Sequence, residues 1–226
     1  MRTHGAMRAT EARTGVLVAA VLLLALNLRI GVTSASSLLE TLVGEHVLDG
    51  TTALLLTAAP ALIFGLASAP AAVCERRWGQ NLTTSVAVIL VAAGLAVRFI
   101  ANPYLILVGT VVTCLGVAAL NVVLPAVIQV HFPANTSAMT TAYTTMMALG
   151  AAGAAFVSVP IADLTGSASI ALGIWALPAL LAIIAWALAG PARMISGSAT
   201  AQPTQSEPVA SNPAYPAGTT LLVCFF

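Results

Sequence analysis

The sequence predicts an all-α integral membrane protein, a bundle of six transmembrane helices. Three observations carry that reading. Of its 226 residues, 59% are hydrophobic and only 7% are charged. Soluble domains carry about 25% charged residues, so a surface made from this chain would not stay dissolved in water. The hydrophobic residues also fall in runs long enough, at about 1.5 Å per residue, to cross a hydrocarbon core of about 30 Å. Finally, short polar connectors separate the runs, and most of the charges lie in these connectors or in the terminal segments.

Composition also excludes several classes. The chain has no lysine, and its net charge of +1 is too small to recruit nucleic acid or another polyanion. Its three cysteines, Cys74, Cys114 and Cys224, are odd in number and widely spaced. They make neither a disulfide framework nor a zinc pattern and read as small apolar filler. His4, His46 and His131 are isolated, and no metalloprotease, nucleophile-elbow, phosphate-loop or paired-cysteine motif occurs. No cofactor, metal or catalytic constellation is expected.

Taken in order, residues 1–13 are polar, carry Arg2, Arg8 and Arg13, and read as a cytoplasmic N-terminal segment. The apolar run at 16–26 leads into Asn27 and Arg29 rather than a small-residue cleavage site, so it is a retained first helix, 14–37, and not a signal peptide. The second helix, 51–74, contains Pro60 and Pro70, which membrane helices tolerate because neighbours re-satisfy the freed carbonyls. A charged connector over 74–81 leads to the third helix, 82–100, and Asn102-Pro103 makes the next turn. The fourth helix, 104–130, is interrupted by Asn121 and Pro125. After a break at 131–135 come the fifth helix, 137–161, and the sixth, 168–189, completing a bundle over 14–190. Residues 191–218 are rich in Ser, Thr, Pro, Gln and Ala and read as a disordered cytoplasmic linker. The hydrophobic stretch 219–226 is too short to span and reads as the start of a seventh helix.

Orientation follows from the arginines. With the N-terminus inside, cytoplasmic segments collect Arg2, Arg8, Arg13, Arg76, Arg77 and Arg193, while the outer loops hold none except Arg98, near the outer end of the third helix. The glycosylation-like triplets at Asn81 and Asn135 would then be cytoplasmic, which makes them chance matches.

The first helix carries the strongest chemical signal. An ionisable side chain at bilayer depth costs between about 2.5 and 17 kcal/mol, so Arg29 must face protein, water or a ligand. At 100° per residue, Arg29, Thr33, Ser36 and Glu40 lie within about 40° of one line, and Asn27 falls about 160° away. That stripe either lines a wet path that attracts an anionic group or serves helix packing, with Arg29 snorkelling or paired. Asn27 reads as an interhelical hydrogen-bonding residue. In the fourth helix, Pro125 frees the carbonyl of Asn121, so a polar side chain and a loosened backbone meet at one depth. Such a pair suits a pore-lining site and a simple kink equally. In the fifth helix, Tyr143 and Thr144 either reach a cavity or sit near an interface, while the Gly and Ala half reads as packing surface. Trp175 and Trp186 in the sixth helix carry the same alternative.

Several segments are familiar. LNLRIGVTS at 26–34, LNVVLP at 120–125, the HFP turn at 131–133, AYTTMMALGAA at 142–152 and WALPALLA at 175–182 resemble the cyanate and nitroimidazole transporter family of the major facilitator superfamily. The resemblance runs from about residue 14 to 190. It implies the N-terminal six-helix half of a twelve-helix transporter, in which helices one and four line the central cavity. Helices two and five flank that cavity, and three and six lie outside. Arg29, Thr33, Asn121 and Tyr143 are then the candidate substrate-binding residues. The superfamily's gating loop survives in degenerate form as Glu75, Arg76 and Gly79. Alternating access needs two bundles rocking about a midplane site, so the chain is expected to be truncated and inactive alone. Its implied partners are a small-molecule solute, the lipid bilayer, and a missing C-terminal half or a second copy. The expected function is transmembrane transport of a small anionic or polar solute in the cell membrane. The rival is a non-transporting six-helix membrane protein that acts as an assembly partner; an enzyme has no residues behind it.

Overall fold

Long apolar runs with few breakers should form long helices, and they do. The computed structural model describes residues 2–189, with side chains from residue 14. In chain order its helices are α1 (Arg2–Ser37), α2 (Leu39–Gly44), α3 (Gly50–Val97) and α4 (Pro103–His131). A 3-10 turn, Pro133–Asn135, follows, and then come α5 (Thr136–Thr165), α6 (Ala168–Gly173) and α7 (Ala176–Leu188). The described residues contain no strand.

Several boundaries differ from those expected. Residues 2–13 are helical and run into the first span without a break, as the first turns of α1. Ala6, Met7, Arg8, Ala9, Glu11, Ala12 and Arg13 are good helix formers, and nothing breaks the helix before the apolar run. The expected connector at 74–81 is helical on both sides of a single residue. Gly79 alone leaves the helical region, at φ 83 and ψ 158, a conformation essentially reserved for glycine. It divides α3 into a first arm, 50–78, and a second arm, 80–97. At 48 residues α3 would be about 72 Å long if straight, enough for two crossings of a bilayer core. The sixth helix is likewise two pieces, α6 and α7. Pro178 has no N–H to give the carbonyl four residues back, so it fits the first turn of α7 and not an unbroken helix. The expected linker, 191–218, and the stretch 219–226 lie outside the described residues.

Other ends follow from local chemistry. The Asp49 carboxylate caps α3, accepting from Thr52 N at 2.9 Å, while the Thr52 hydroxyl accepts from Asp49 N at 3.0 Å. This is a reciprocal capping box. Hydrogen bonds from Thr52 hold the Asp49 carboxyl below the ordinary carboxylate range. Asn102 caps α4 by accepting from Tyr104 N at 3.0 Å and Leu105 N at 3.3 Å, with Pro103 at the first helical position. α5 stops at Gly166, whose φ of 65 supplies the left-handed turn.

Glycines set the closest helix crossings. A Cβ on Gly116 would lie 2.6 Å from the Ala87 carbonyl oxygen, and one on Gly94 would lie 2.6 Å from that of Gly109, so the second arm of α3 and α4 meet backbone to backbone. A Cβ on Gly150 would run into the Leu26 carbonyl oxygen, which marks the crossing of α1 and α5. At one end of the bundle, Leu38, Leu42, Leu48, Leu56, Ile106 and Leu172 close a shared core. There the Glu45 carboxylate accepts from Ala168 N at 3.0 and 3.2 Å, tying the segment after α2 to the start of α6. The first arm of α3 is the exception to this packing, for its buried residues are only Thr52, Leu56 and Ala71.

Candidate solute-binding face

The polar residues divide into those the bundle uses and those it leaves free. Asn27 is fully buried, and its amide donates to the Leu23 carbonyl at 2.8 Å and across to Pro178 O at 3.1 Å. It is an interhelical hydrogen-bonding residue joining α1 to α7. Both tryptophans are also spent on packing. The Trp175 indole donates to Ser158 Oγ at 2.9 Å, and the Trp186 indole to Ser85 Oγ at 3.1 Å. A periodicity argument sees where such side chains sit on their own helix but not which hydroxyl faces them.

Arg29 lies on the opposite side of α1. It is exposed, although Leu28 and Ile30 beside it are buried. Thr33 is half-buried, and Ser36 and Glu40 are exposed. The polar stripe thus leaves the core as the wheel indicated, with one amendment: Glu40 belongs to α2, because the helix breaks at Leu38 (φ −96, ψ 3). On α4, Asn121 is exposed between buried Leu120 and buried Val123. On α5, Tyr143 is half-buried.

None of Arg29, Thr33, Asn121 and Tyr143 makes a side-chain hydrogen bond or ion pair with another described residue. Their neighbours contrast with this. Ser36 donates to Val32 O, Thr141 to Ser137 O, Thr144 to Thr140 O and Thr145 to Thr141 O, each spending its hydroxyl on its own helix. α1 packs against both α4 and α5, so the three helices that carry the four free groups are neighbours. The structure brings these helices together and leaves the four side chains without protein partners. One cation, an amide and two hydroxyls are available on these three helices. They can attract and hydrogen-bond a small anionic or polar molecule.

The remaining candidates are farther along the chain. Glu75 is half-buried, Arg76 is exposed, and both precede the Gly79 break. Neither makes an ion pair or hydrogen bond among the described residues. Arg98, which the sequence singled out only as an exception to the arginine bias, is fully buried, and its Nη1 donates to the Gly31 carbonyl at 2.7 Å.

Membrane-length helices packed through glycines define the class: a multi-pass helical membrane protein. The comparisons agree. The chain is 40% identical over 148 residues to the 2-nitroimidazole transporter of Escherichia coli (strain K12), a match covering 65% of this chain and 37% of that protein. It is 31% identical over 171 residues to the uncharacterised transporter YycB of Bacillus subtilis (strain 168), covering 75% of this chain and 42% of that protein. Among solved structures it is similar to the inward-open xylose transporter XylE of E. coli, with a TM-score of 0.61 and 17% identity over 82% of this chain and 53% of that one. No family model matches. The chain is thus related in sequence to these two transporters, and it shares the fold of half of XylE. It spans less than half the length of the two curated relatives it matches.

Proposed function

We propose that the chain is the N-terminal six-helix half of a secondary transporter for a small anionic or polar solute of the cyanate or nitroimidazole type. Arg29 supplies the charge, and Asn121, Tyr143 and Thr33 supply hydrogen bonds. The observation that carries this reading is the free state of Arg29. A cation on a membrane-length helix, turned out of the core and unpaired, is too costly to leave against hydrocarbon, so its face meets water and solute. The similarity to the 2-nitroimidazole transporter supports the choice of solute class.

The two arms of α3 count as separate crossings in this reading, giving six, with the N-terminus in the cytoplasm of the cell membrane by the arginine bias. A C-terminal six-helix half, or a second copy of this chain, covers the polar face. Glu75, Arg76 and Gly79 form a gating element whose partners lie on that second bundle.

Uptake of labelled 2-nitroimidazole tests the proposal in cells lacking their own transporter. The chain is expressed alone and fused to the part of the E. coli relative that it does not match. Uptake is expected from the fusion. Arg29→Gln should lower it at least about tenfold, the cost of one charge-assisted hydrogen bond of about 1.5–3 kcal/mol. Unchanged uptake in both Arg29→Gln and Arg29→Lys would remove Arg29 from the site. A well-inserted fusion without uptake would favour the rival reading, a six-helix assembly partner, which the sparsely buried first arm of α3 also suits.

A further inference from the structure

Arg98 is the largest fully buried side chain in the described bundle, and its use of that position is unusual. It follows directly on α3 and bends back into the protein. A Cβ on Gly109 would lie 3.0 Å from Arg98 Cγ, so the glycine on α4 makes room for the aliphatic stem. The guanidinium reaches α1 and donates from Nη1 to the Gly31 carbonyl at 2.7 Å. Gly31 itself is pressed against α4, since a Cβ there would lie 2.6 Å from Thr113 Cγ2. The remaining donors, Nε and Nη2, are buried without a partner. So is the hydroxyl of Ser34, three residues beyond Gly31 on α1.

As a stabilising device this is poor chemistry. A buried guanidinium facing one neutral carbonyl, with no carboxylate paired to it among the described residues, contributes less stability than an apolar side chain of similar volume. What it does achieve is geometric. Gly31 lies midway between Arg29 and Thr33, and its carbonyl is the one backbone atom of α1 that this cation grips. Gripping it sets the rotation and depth of the turn that turns Arg29 outward while keeping Leu28 and Ile30 in the core.

We propose that Arg98 is a positioning residue for the solute site: its buried guanidinium holds the Gly31 carbonyl and so fixes the turn of α1 that presents Arg29 and Thr33. The proposal rests on the reading of Arg29 and Thr33 as solute-facing, but its test needs no solute. Thr33→Cys is introduced into the full chain, purified in detergent, and its alkylation rate by a water-soluble maleimide is measured above the background of the native cysteines. Thr144→Cys on α5, also an exposed position, is the control. Arg98→Gln should change the rate at residue 33 several-fold and leave the rate at 144 unaltered. Arg98→Lys, which keeps the charge and a donor within reach of Gly31, should restore most of the parent rate.

Equal rates at residue 33 with and without Arg98 overturn the proposal. Equal changes at 33 and 144 also overturn it, because they show a general loosening of the bundle. If Arg98→Gln does not fold, Arg98→Met, which keeps an apolar stem and loses the donor to Gly31, is compared with the parent instead. A shift confined to residue 33 supports positioning, and no shift at 33, or the same shift at 144, contradicts it. Loss of uptake in Arg29→Gln with no effect of Arg98 here would leave the solute site standing without its positioning residue.

Discussion

Asn27 and Arg29 are two residues apart, and α1 puts them to opposite uses. Asn27 is withdrawn from solvent and bridges to α7 through Pro178, while Arg29 is exposed and unpaired. The difference follows from helix geometry, since residues two apart point about 160° from each other. Interhelical hydrogen bonds in membrane proteins average about 0.6 kcal/mol and reach about 1.7 kcal/mol. Asn27→Ala should therefore lower stability by about 1 kcal/mol, because it also leaves the Pro178 carbonyl without its side-chain donor. Thermal unfolding in detergent would register this as a lower midpoint, with uptake by the fusion in cells preserved. An unchanged midpoint would mean that the Asn27 bridge contributes nothing net. Arg98 marks the limit of what the residue scale makes legible from sequence. Its position at the end of a helix suggested an outer surface, but the stem turns inward through space opened by Gly109, a neighbour distant in the chain.

At the scale of the helices, glycine placement separates contacts made within this chain from faces it leaves open. Gly150 touches the backbone of α1, whereas Gly153, less than one turn later, has nothing near the position of a Cβ. Gly150→Leu should force α1 and α5 apart and cost about 1–3 kcal/mol or more, the usual cost of overpacking. Gly153→Leu should change stability by no more than about 0.5 kcal/mol. Comparing detergent melting of the two variants checks the crossing. Equal loss in both would mean that α1 and α5 do not pack as described. The helices themselves were largely legible, because apolar runs with few charges admit little else. The ends were less so. The single-residue break at Gly79 and the division between α6 and α7 depend on one glycine conformation and one missing proline N–H. The sequence reading widened the first into an eight-residue connector and passed over the second.

Among the described residues, burial is uneven across the bundle. α4 and the second arm of α3 are well buried against each other, while the first arm of α3 and much of α5 present large apolar side chains such as Leu62, Leu66 and Phe156 outward. Those faces suit hydrocarbon or another bundle; the free polar groups of α1, α4 and α5 suit neither unless water or solute is present. The wheel identified the Arg29 stripe because one helix's periodicity suffices for that. It had no means of showing that Arg29, Thr33, Asn121 and Tyr143 would all be left without protein partners, since that depends on how the neighbouring hydroxyls are spent. The claim that this face is wet and binds solute can be tested beside Arg29. Thr33→Cys, which leaves Arg29 in place, is built into the fusion and treated with a cationic, membrane-impermeant thiosulfonate, with and without saturating 2-nitroimidazole, and the rate is corrected for the native cysteines. The account predicts rapid modification that the solute slows. A cysteine that stays unreactive, or reacts equally fast with solute present, would contradict it.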